Sequence, residues 1–513
     1  MKIKNIKNIQ ILCIIALLVL ASFVYFYRLG MESLLTDEYL SLHVAQQPLE
    51  RIIFQHNENW NPNAIPPLYE ILLHFWLKLF GKGEFAQRSL SALFGVCSAY
   101  ILYLLAKLLF DSWTGIIAML FGVLSYSWFS FFRQNRCYGL FILLVLLSFY
   151  LFFYYLKNKN NRFSYYAFII INIALLYTHY LSFFIILLQL IFAALLWKRN
   201  EKFFFDILFM GLCAGVTFAP WYRNFLHDYN REPVIVYRRL FINLPRNIID
   251  FLKLLFYDFH FRWEPVLTLI YLPFIVRGCK RLRKMQPGEF RFGLFFLLSI
   301  YLVPLILIYS FTRSARIRFY CAFYFPLYIL LALGIRDLKM QGFRAWFYFC
   351  IFIVAAFFNF ADFRDFFRGP LNENWKQAAK CIKKMPDYQN KNMIFVFQTR
   401  YNAPIFAYYF WDNRLSRFFA DNITNYLDYE KDLVSLGIKH KIYIAGGMDI
   451  TGKTFFEKIS AFPKDAWIWV FRYQGLLFER NIKLKNKGRY FIKKTTLNKE
   501  IPQIDMYLFK KIR

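Results

Sequence analysis

Acidic residues are scarce: 32 Asp and Glu stand against 64 Lys and Arg in 513 residues, a formal net charge of +32. Cysteine is scarce as well. The eight Cys lie mostly inside apolar runs, with no C-x-x-C pair and no His/Cys cluster at zinc spacing, which argues against both a disulfide framework and a structural zinc site. No repeat of about 20 to 50 residues and no low-complexity linker is present, so solenoid and array architectures are excluded. The basic start "MKIKNIKNIQ" and the apolar run behind it resemble a secretory signal, yet no small-x-small cleavage site precedes Arg28. That run is therefore expected to remain as an anchor, with the N-terminus cytoplasmic.

What the chain does have is apolar and aromatic side chain: 58% hydrophobic and 22% aromatic residues, 64 of them Phe, too much for the soluble domains its length would otherwise suggest. The fold class read from this is a polytopic α-helical membrane protein. Apolar runs of roughly 17 to 22 residues, long enough to cross the hydrocarbon core as helices, lie near residues 11–27, 85–109, 114–132, 139–156, 163–180, 181–197, 203–221, 265–276, 292–311, 319–335 and 343–361. Eleven crossings from a cytoplasmic start place the C-terminus outside the cytoplasm.

The excess positive charge has a distribution that speaks against nucleic acid as a partner. Counted from a cytoplasmic N-terminus, the inside loops "KNKNNR", "WKRNEK", "RGCKRLRKMQPGEFR" and "RDLKMQGFR" are rich in Lys and Arg, which is the positive-inside pattern of a cytoplasmic-membrane protein. The outward loops "FRQNRCY", "YNREPVIVYRRL" and "FTRSARIRFY" are basic too, but there Arg dominates. Topology does not ask for that. The guanidinium is a planar fork matched to phosphate, so an outward cavity handling an anionic lipid head group is inferred.

Composition shifts at "ADFRDFFRGPLNENW". Beyond about residue 369 the pattern predicts a helix at "NENWKQAAKCIKKM", a strand at "NMIFVF", a helix at "APIFAYYF" and strands at "HKIYIAGG" and "DAWIWVFRY". The expected organisation is a transmembrane domain over 1–368, with interfacial helices in the first outward loop (about 28–84), and a small extracytoplasmic α/β domain over 369–513.

The stretch "LLTDEYLSLHVAQQP" (34–48) sets two adjacent carboxylates, Asp37 and Glu38, just beyond the first apolar run. Thr36 reads as a helix N-cap and the acids as the first turn, where the helix dipole stabilises negative charge. A carboxylate held near a lipid boundary on the outer face can instead act as a general base. In "PPLYEILLHFWLKLFG", Glu70, His74 and Lys78 recur at i, i+4 and i+8, with Leu68, Ile71, Leu72, Phe75, Trp76 and Leu79 opposite, predicting a helix lying in the interface.

A rival motif is "GGMDITGKT", which contains G-x-x-x-x-G-K-T at Gly447–Thr454 between the strand "KIYIA" and the helical "KTFFEKI". No strand ending in a second acidic residue is evident nearby, and the expected compartment lacks ATP. A turn leading into a helix N-terminus is the preferred reading.

Taken in order, "TDEYLSLHVAQQP", "PPLYEILLHFWLKLFGKGEFAQRSLSALFGV", "RQNRCYGLFILLVLLSFYLF", "YTHYLSFF" and "RFYCAFYFPLYILLALGI" resemble segments of the GT-C superfamily of membrane glycosyltransferases. The nearest branch holds the protein O-mannosyltransferases and the aminoarabinose transferases of lipid A (ArnT-like). The resemblance covers most of residues 30–335, and the tail beginning "NWKQAAKCI" is similar to the periplasmic domain of many members. It implies transfer of a sugar from a polyprenyl-phosphate carrier to an acceptor (glycolipid, polysaccharide or protein hydroxyl) at the outer face. It further implies that the acid of the first outward loop, Asp37 with Glu38 beside it, is the base. A lipid phosphate is already a competent leaving group, so the chemistry needs a base for the acceptor and cations for the phosphate, but no general acid. A single in-line displacement with inversion is expected.

Arg136 and Tyr138 in "RQNRCYGL" and Arg316, Arg318 and Tyr320 in "SARIRFY" match family segments and are the phosphate-binding candidates; interfacial anchoring is the alternative for such Arg and Tyr. His179 in "YTHYL" is first a satisfied intramembrane histidine, and it and His56 are kept as supporting candidates. Family members usually carry His or Lys where this chain has Ile65, and often Glu where it has Asn135. The second departure removes a metal ligand, so no divalent ion or other cofactor is required by this reading. Two rivals are a transporter or flippase of lipid-linked sugars and a non-catalytic anchor. The first calls for repeat symmetry and broken helices near the midplane, neither of which is evident; the second gives no reason for eleven crossings.

Overall fold

The computed structural model describes residues 2–54, 66–158, 161–231, 264–284, 320–336, 375–385, 393–397, 402–411, 441–444, 467–473, 490–496 and 504–511. By its internal packing the chain divides into two units: Met1–Leu29 with Ala64–Phe367, and Gly30–Asn63 with Arg368–Arg513.

The first unit is helical. Its helices are α1 (Lys2–Phe26), α4 (Leu68–Phe80), α5 (Glu84–Leu109), α6 (Ser112–Val123), α7 (Tyr126–Phe132), α8 (Tyr138–Lys157), α9 (Arg162–Leu176), α10 (Ser182–Leu195), α11 (Glu201–Phe218), α12 (Tyr222–Arg231), α13 (Glu264–Lys284) and α14 (Phe325–Arg336). Among the described residues four helices are long and apolar enough to cross a membrane, or five if α6 and α7 form one bent span. The protein is thus a multi-pass membrane protein. The expected runs 292–311 and 343–361 lie outside the described residues.

Three expected runs are modified, each for a local reason. The run 114–132 is two helices meeting at 64°, because Ser125 adopts extended backbone and its Oγ accepts the Trp128 N–H at 3.1 Å, capping a fresh helix. The runs 163–180 and 181–197 shorten to α9 and α10, of 15 and 14 residues. Between them the backbone turns, with Ser182 Oγ donating to the Leu175 carbonyl at 2.6 Å and the Leu181 N–H donating to His179 Nδ1 at 3.2 Å.

Among the described residues, polar contacts between helices include a set at each end of the bundle. At one end Asp111 meets Arg336 at 3.5 Å, Lys157 Nζ donates to the Leu108 carbonyl, and Tyr155 and Tyr165 both donate to Asp206, to Oδ2 and to its main-chain carbonyl respectively. At the other, Arg133 donates to the carbonyls of Val24 (2.9 Å) and Tyr27 (2.7 Å), and Trp128 Nε1 to that of Cys321 (3.2 Å). Between them lies an apolar core that holds a buried polar chain: Gln189 Nε2 to Ser148 Oγ (2.7 Å), Ser148 Oγ to Asn172 Oδ1 (3.0 Å), and Asn172 Nδ2 to the Phe168 carbonyl (2.9 Å).

Helices α13 and α14 cross at bare backbone. A Cβ placed on Gly334 would collide with the Phe274 carbonyl and one on Gly278 with the Leu330 carbonyl, so only glycine allows the approach.

The second unit holds α2 (Thr36–Ala45), α3 (Leu49–Phe54), α15 (Trp375–Lys383), α16 (Asn402–Phe410) and five strands, β1 (Met393–Phe397), β2 (Lys441–Ile444), β3 (Trp467–Tyr473), β4 (Tyr490–Thr496) and β5 (Ile504–Lys511). The sheet order is β2-β1-β3-β5-β4. β1 pairs in parallel with β2 and β3, and β5 runs antiparallel to β3 and β4. Phe395 of β1 packs its ring against Phe406 and Phe410 of α16 at 5.3 and 5.2 Å, and Trp375 of α15 meets Phe406 at 6.4 Å.

Candidate active site

In the second unit, the acid-bearing helix α2 begins at the expected cap, one residue earlier than predicted. Leu35, not Thr36, is the N-cap, because the Leu35 N–H is taken by a side chain from inside the helix: Glu38 Oε2 accepts it at 2.7 Å. This is half of a capping box, the carboxylate of the third helical residue reaching back over the first turn. Glu38 is 0% exposed, whereas the neighbouring Asp37 is half-buried. Two adjacent carboxylates thus have different environments. One is buried with an oxygen bonded at the helix terminus; the other is half-buried.

Along the same side of the chain Tyr39 and His43 stack at 6.3 Å, Gln47 Nε2 lies 3.4 Å from His43 Nε2, and Arg51 Nη1 donates to Gln47 Oε1 at 3.3 Å. The residues at i, i+4, i+8 and i+12 form a continuous ladder that runs from α2 into α3.

In the first unit, four of the motif segments lie together. Tyr69 of "PPLY" donates from its hydroxyl to Asn135 Oδ1 at 2.9 Å and lies 3.0 Å from Ser91 Oγ. The Leu68 N–H at the start of α4 donates to the Tyr177 carbonyl at 2.9 Å, tying "PPLY" to "YTHYL". Arg136 is 4% exposed, with its guanidinium 5.9 Å from the centre of the Tyr138 ring. Tyr138 in turn lies 5.9 Å from the His179 ring, which stacks on Phe141 at 4.9 Å. Phe141 meets Phe323 of "RFYCAFYF" at 6.3 Å, and Tyr320 in that segment is buried. Among the sequence-predicted candidates, Arg136, Tyr138 and His179 therefore form one cluster. His56, Ile65, Arg316 and Arg318 lie outside the described residues, as does Gly447–Thr454, although the strand expected before it is present as β2.

The helix over "LYEILLHFWLKLF" forms as expected but is rotated relative to the predicted polar stripe. Glu70 is buried together with Tyr69, Leu73 and Leu77, while Leu72, Phe75, Leu79 and Phe80 are exposed. The Tyr69 hydrogen bond to Asn135 sets this rotation, and an apolar outer face suits a helix at a lipid boundary.

Sequence reasoning passed over two arginines. Arg133 and Arg88 are both buried and donate to main-chain carbonyls where α1 ends: Arg133 to Val24 and Tyr27, and Arg88 to Leu29 at 3.1 Å. The carbonyls on either side of Arg28 are thus fixed, and Arg28 itself sits at φ 53°, a left-handed conformation rare for a residue with a Cβ. The available signal was Arg28, and not a glycine, just after α1: the final carbonyls there are met by side-chain donors. Among the described residues no three His, Cys, Asp or Glu side chains lie together as a metal site.

Residues 64–222 match the family described as dolichyl-phosphate-mannose-protein mannosyltransferase. Among solved structures, ArnT from Cupriavidus metallidurans in the apo state superposes with a TM-score of 0.54 at 10% identity, covering 96% of this chain and 97% of that one. The same protein bound to undecaprenyl phosphate gives 0.52, again at 10% identity and the same coverage. The oligosaccharyltransferase of Archaeoglobus fulgidus, in complex with Zn and sulfate, gives 0.52 at 15% identity over 78% of this chain; the chain spans 61% of that protein's length. No curated protein sequence matches the chain. At such identities the likeness is one of fold.

Proposed function

We propose, from the family match over residues 64–222 and the likeness in fold to ArnT, that the chain is a glycosyltransferase of the GT-C superfamily. In this reading it moves a sugar from a polyprenyl-phosphate carrier to an acceptor hydroxyl at the outer face of the cytoplasmic membrane. The likeness to ArnT, one structure of which holds undecaprenyl phosphate, supports the class of carrier.

Asp37 is the general base. The observation that supports it most directly is the division of labour between the two acids: Glu38 spends Oε2 on the Leu35 N–H, and Asp37 remains half-exposed at the start of the same helix. Asp37 takes the acceptor hydroxyl proton as the acceptor oxygen bonds to the anomeric carbon. The bond from that carbon to the phosphate oxygen breaks with its electron pair on phosphate, so the configuration inverts and polyprenyl phosphate departs. Arg136, with Arg316 and Arg318, supplies the positive charge that the departing phosphate requires, and Tyr138 and Tyr320 supply hydroxyl donors. His179 supports the Tyr138 ring through its packing, and His56 takes part in head-group recognition. The second unit lies outside the cytoplasm.

The test is mass spectrometry of envelope glycolipids and glycoproteins from cells carrying wild type, Asp37→Asn or Lys453→Ala, with polyprenyl-phosphate sugars quantified in parallel. Loss of one modification with Asp37→Asn alone, while its lipid-linked donor accumulates, is the expected result and names the acceptor. A silent Asp37→Asn beside a damaging Lys453→Ala would overturn the proposal in favour of a nucleotide site at Gly447–Thr454.

A further inference from the structure

The acid-bearing helix α2 is not held by its neighbours in sequence alone. Within the second unit it packs on α16, more than three hundred residues further along the chain. Tyr39 and Tyr408 place their rings 5.7 Å apart, and the Leu34 N–H donates to the Tyr409 hydroxyl at 2.8 Å. Leu34 is 0% exposed, so an N–H there that lost its acceptor would be unpaired in a buried position. The next N–H, that of Leu35, is the one taken by Glu38. Two consecutive main-chain donors at the entry to α2 are thus fixed from two directions, Leu35 from within the helix and Leu34 from α16.

We infer that Tyr409 is a positioning residue for Asp37: its hydroxyl pins the backbone three residues before that carboxylate, so that the distal part of the chain sets where the base stands. This deepens the proposed function and rests on Asp37 being the base. The physical argument is one of leverage. Asp37 stands in the first turn of α2, where helix ends fray unless their N–H groups have partners. α16 is itself anchored: Ile405, Phe406 and Ala407 are fully buried, Phe406 and Phe410 pack on Phe395 of β1, and Lys383 of α15 donates to the Tyr409 carbonyl at 3.1 Å. The pin is therefore attached to a sheet and not to a loose loop. The tyrosine ring provides reach and stiffness at low entropic cost, and the single oxygen at its tip makes the contact.

Tyr409→Phe removes that oxygen and keeps the ring. The full-length protein in detergent micelles is followed by amide hydrogen exchange, and membranes containing it are followed for formation of the product lost with Asp37→Asn. The expected result is about fivefold faster exchange in peptides covering residues 33–38, with exchange in β1 and α5 and the unfolding midpoint unchanged. Product formation should fall roughly ten- to hundredfold, with the loss in kcat and not in donor KM. Unchanged exchange at residues 33–38 overturns the inference, because the hydrogen bond is then not holding the segment. Faster exchange with product formation at the wild-type rate also overturns it, because the pin then does not position the base. A fully active Asp37→Asn beside faster exchange in Tyr409→Phe would instead overturn the assignment of the base and leave the pin intact as architecture.

Discussion

Tyr69 donates a hydrogen bond to Asn135 Oδ1 across 2.9 Å, joining the helix after "PPLY" to the loop "RQNRCY" at a point where Asn135 is fully buried. Asn135 is also a position at which the family resemblance leads one to expect a carboxylate and the sequence has an amide. A neutral acceptor suits the place: a carboxylate there would need a compensating cation to offset its desolvation, whereas the amide oxygen needs only the tyrosine hydroxyl.

Removing that acceptor should therefore be costly. Asn135→Leu leaves a buried tyrosine hydroxyl without this partner and is expected to destabilise the protein by about 1 to 3 kcal/mol, with Tyr69→Phe at the lower end. Thermal unfolding of the purified variants checks this. Equal stability for all three proteins would show that Tyr69 finds another acceptor.

The crossing of α13 and α14 makes a sharper steric prediction. Gly334→Ala sets a methyl group against the Phe274 carbonyl and Gly278→Ala one against the Leu330 carbonyl, so each forces the helices apart. A loss of about 1 to 3 kcal/mol is expected for either, with the double variant less than additive because the first separation makes room for the second.

The buried chain from Gln189 through Ser148 to Asn172 links three helices. Ser148→Ala removes both a donor and an acceptor at its centre. The expected cost is about 1 to 2 kcal/mol, two interhelical hydrogen bonds at the modest value such bonds have in membranes. Unfolding in lipid nanodiscs reads it directly.

Asp111 gives the protein a pH-dependent term at the opposite end of the bundle from the cluster of Arg136, Tyr138 and His179. Partial burial pushes its carboxyl up, but N–H and O–H bonds from Thr114, the Arg336 guanidinium and the Trp113 N–H outweigh this and hold it below the ordinary value of 3.8. A depressed native pKa means stability that is complete above the ordinary value and lost as pH falls through the native one. Asp111→Ala should flatten the acid limb of the stability curve below about 3.8 and remove a helix cap at a cost of about 1 kcal/mol, while Asp111→Asn keeps most of the cap. An unchanged acid limb in Asp111→Ala would show that other carboxylates set it.

Much of the architecture was legible because it rests on patterns of one dimension. Unbroken apolar runs announced α5 and α8 almost to their ends, and the short apolar runs in "NMIFVF" and "DAWIWVFRY" announced β1 and β3. β4 and β5 were not read, since "YFIKKTT" and "IDMYLFKK" mix lysine and aromatics, and their pairing with β3 is a tertiary fact. The bend at Ser125 was written in the sequence as a serine inside an apolar run, but serine also sits unremarked in straight helices, as Ser148 does in α8. Candidate residues were legible where chemistry singles out residue types: adjacent acids after the first run, and Arg and Tyr in the loops read as outward. They were not legible where one residue's role depends on another far away in the chain. Nothing local tells Glu38 from Asp37, and nothing local ties Leu34 to Tyr409.

That distinction between the two acids is the most direct test of the account. The measurement is the initial rate at which membranes containing equal amounts of folded wild type, Asp37→Asn or Glu38→Gln convert endogenous polyprenyl-phosphate sugar to free polyprenyl phosphate. With Asp37 as the base, Asp37→Asn should lose about 10²- to 10⁴-fold in rate with its stability intact. Glu38→Gln, whose amide oxygen can still accept the Leu35 N–H, should lose far less. An Asp37→Asn protein that turns over at the wild-type rate, beside an inactive but folded Glu38→Gln, would reverse the assignment and contradict the account at its centre.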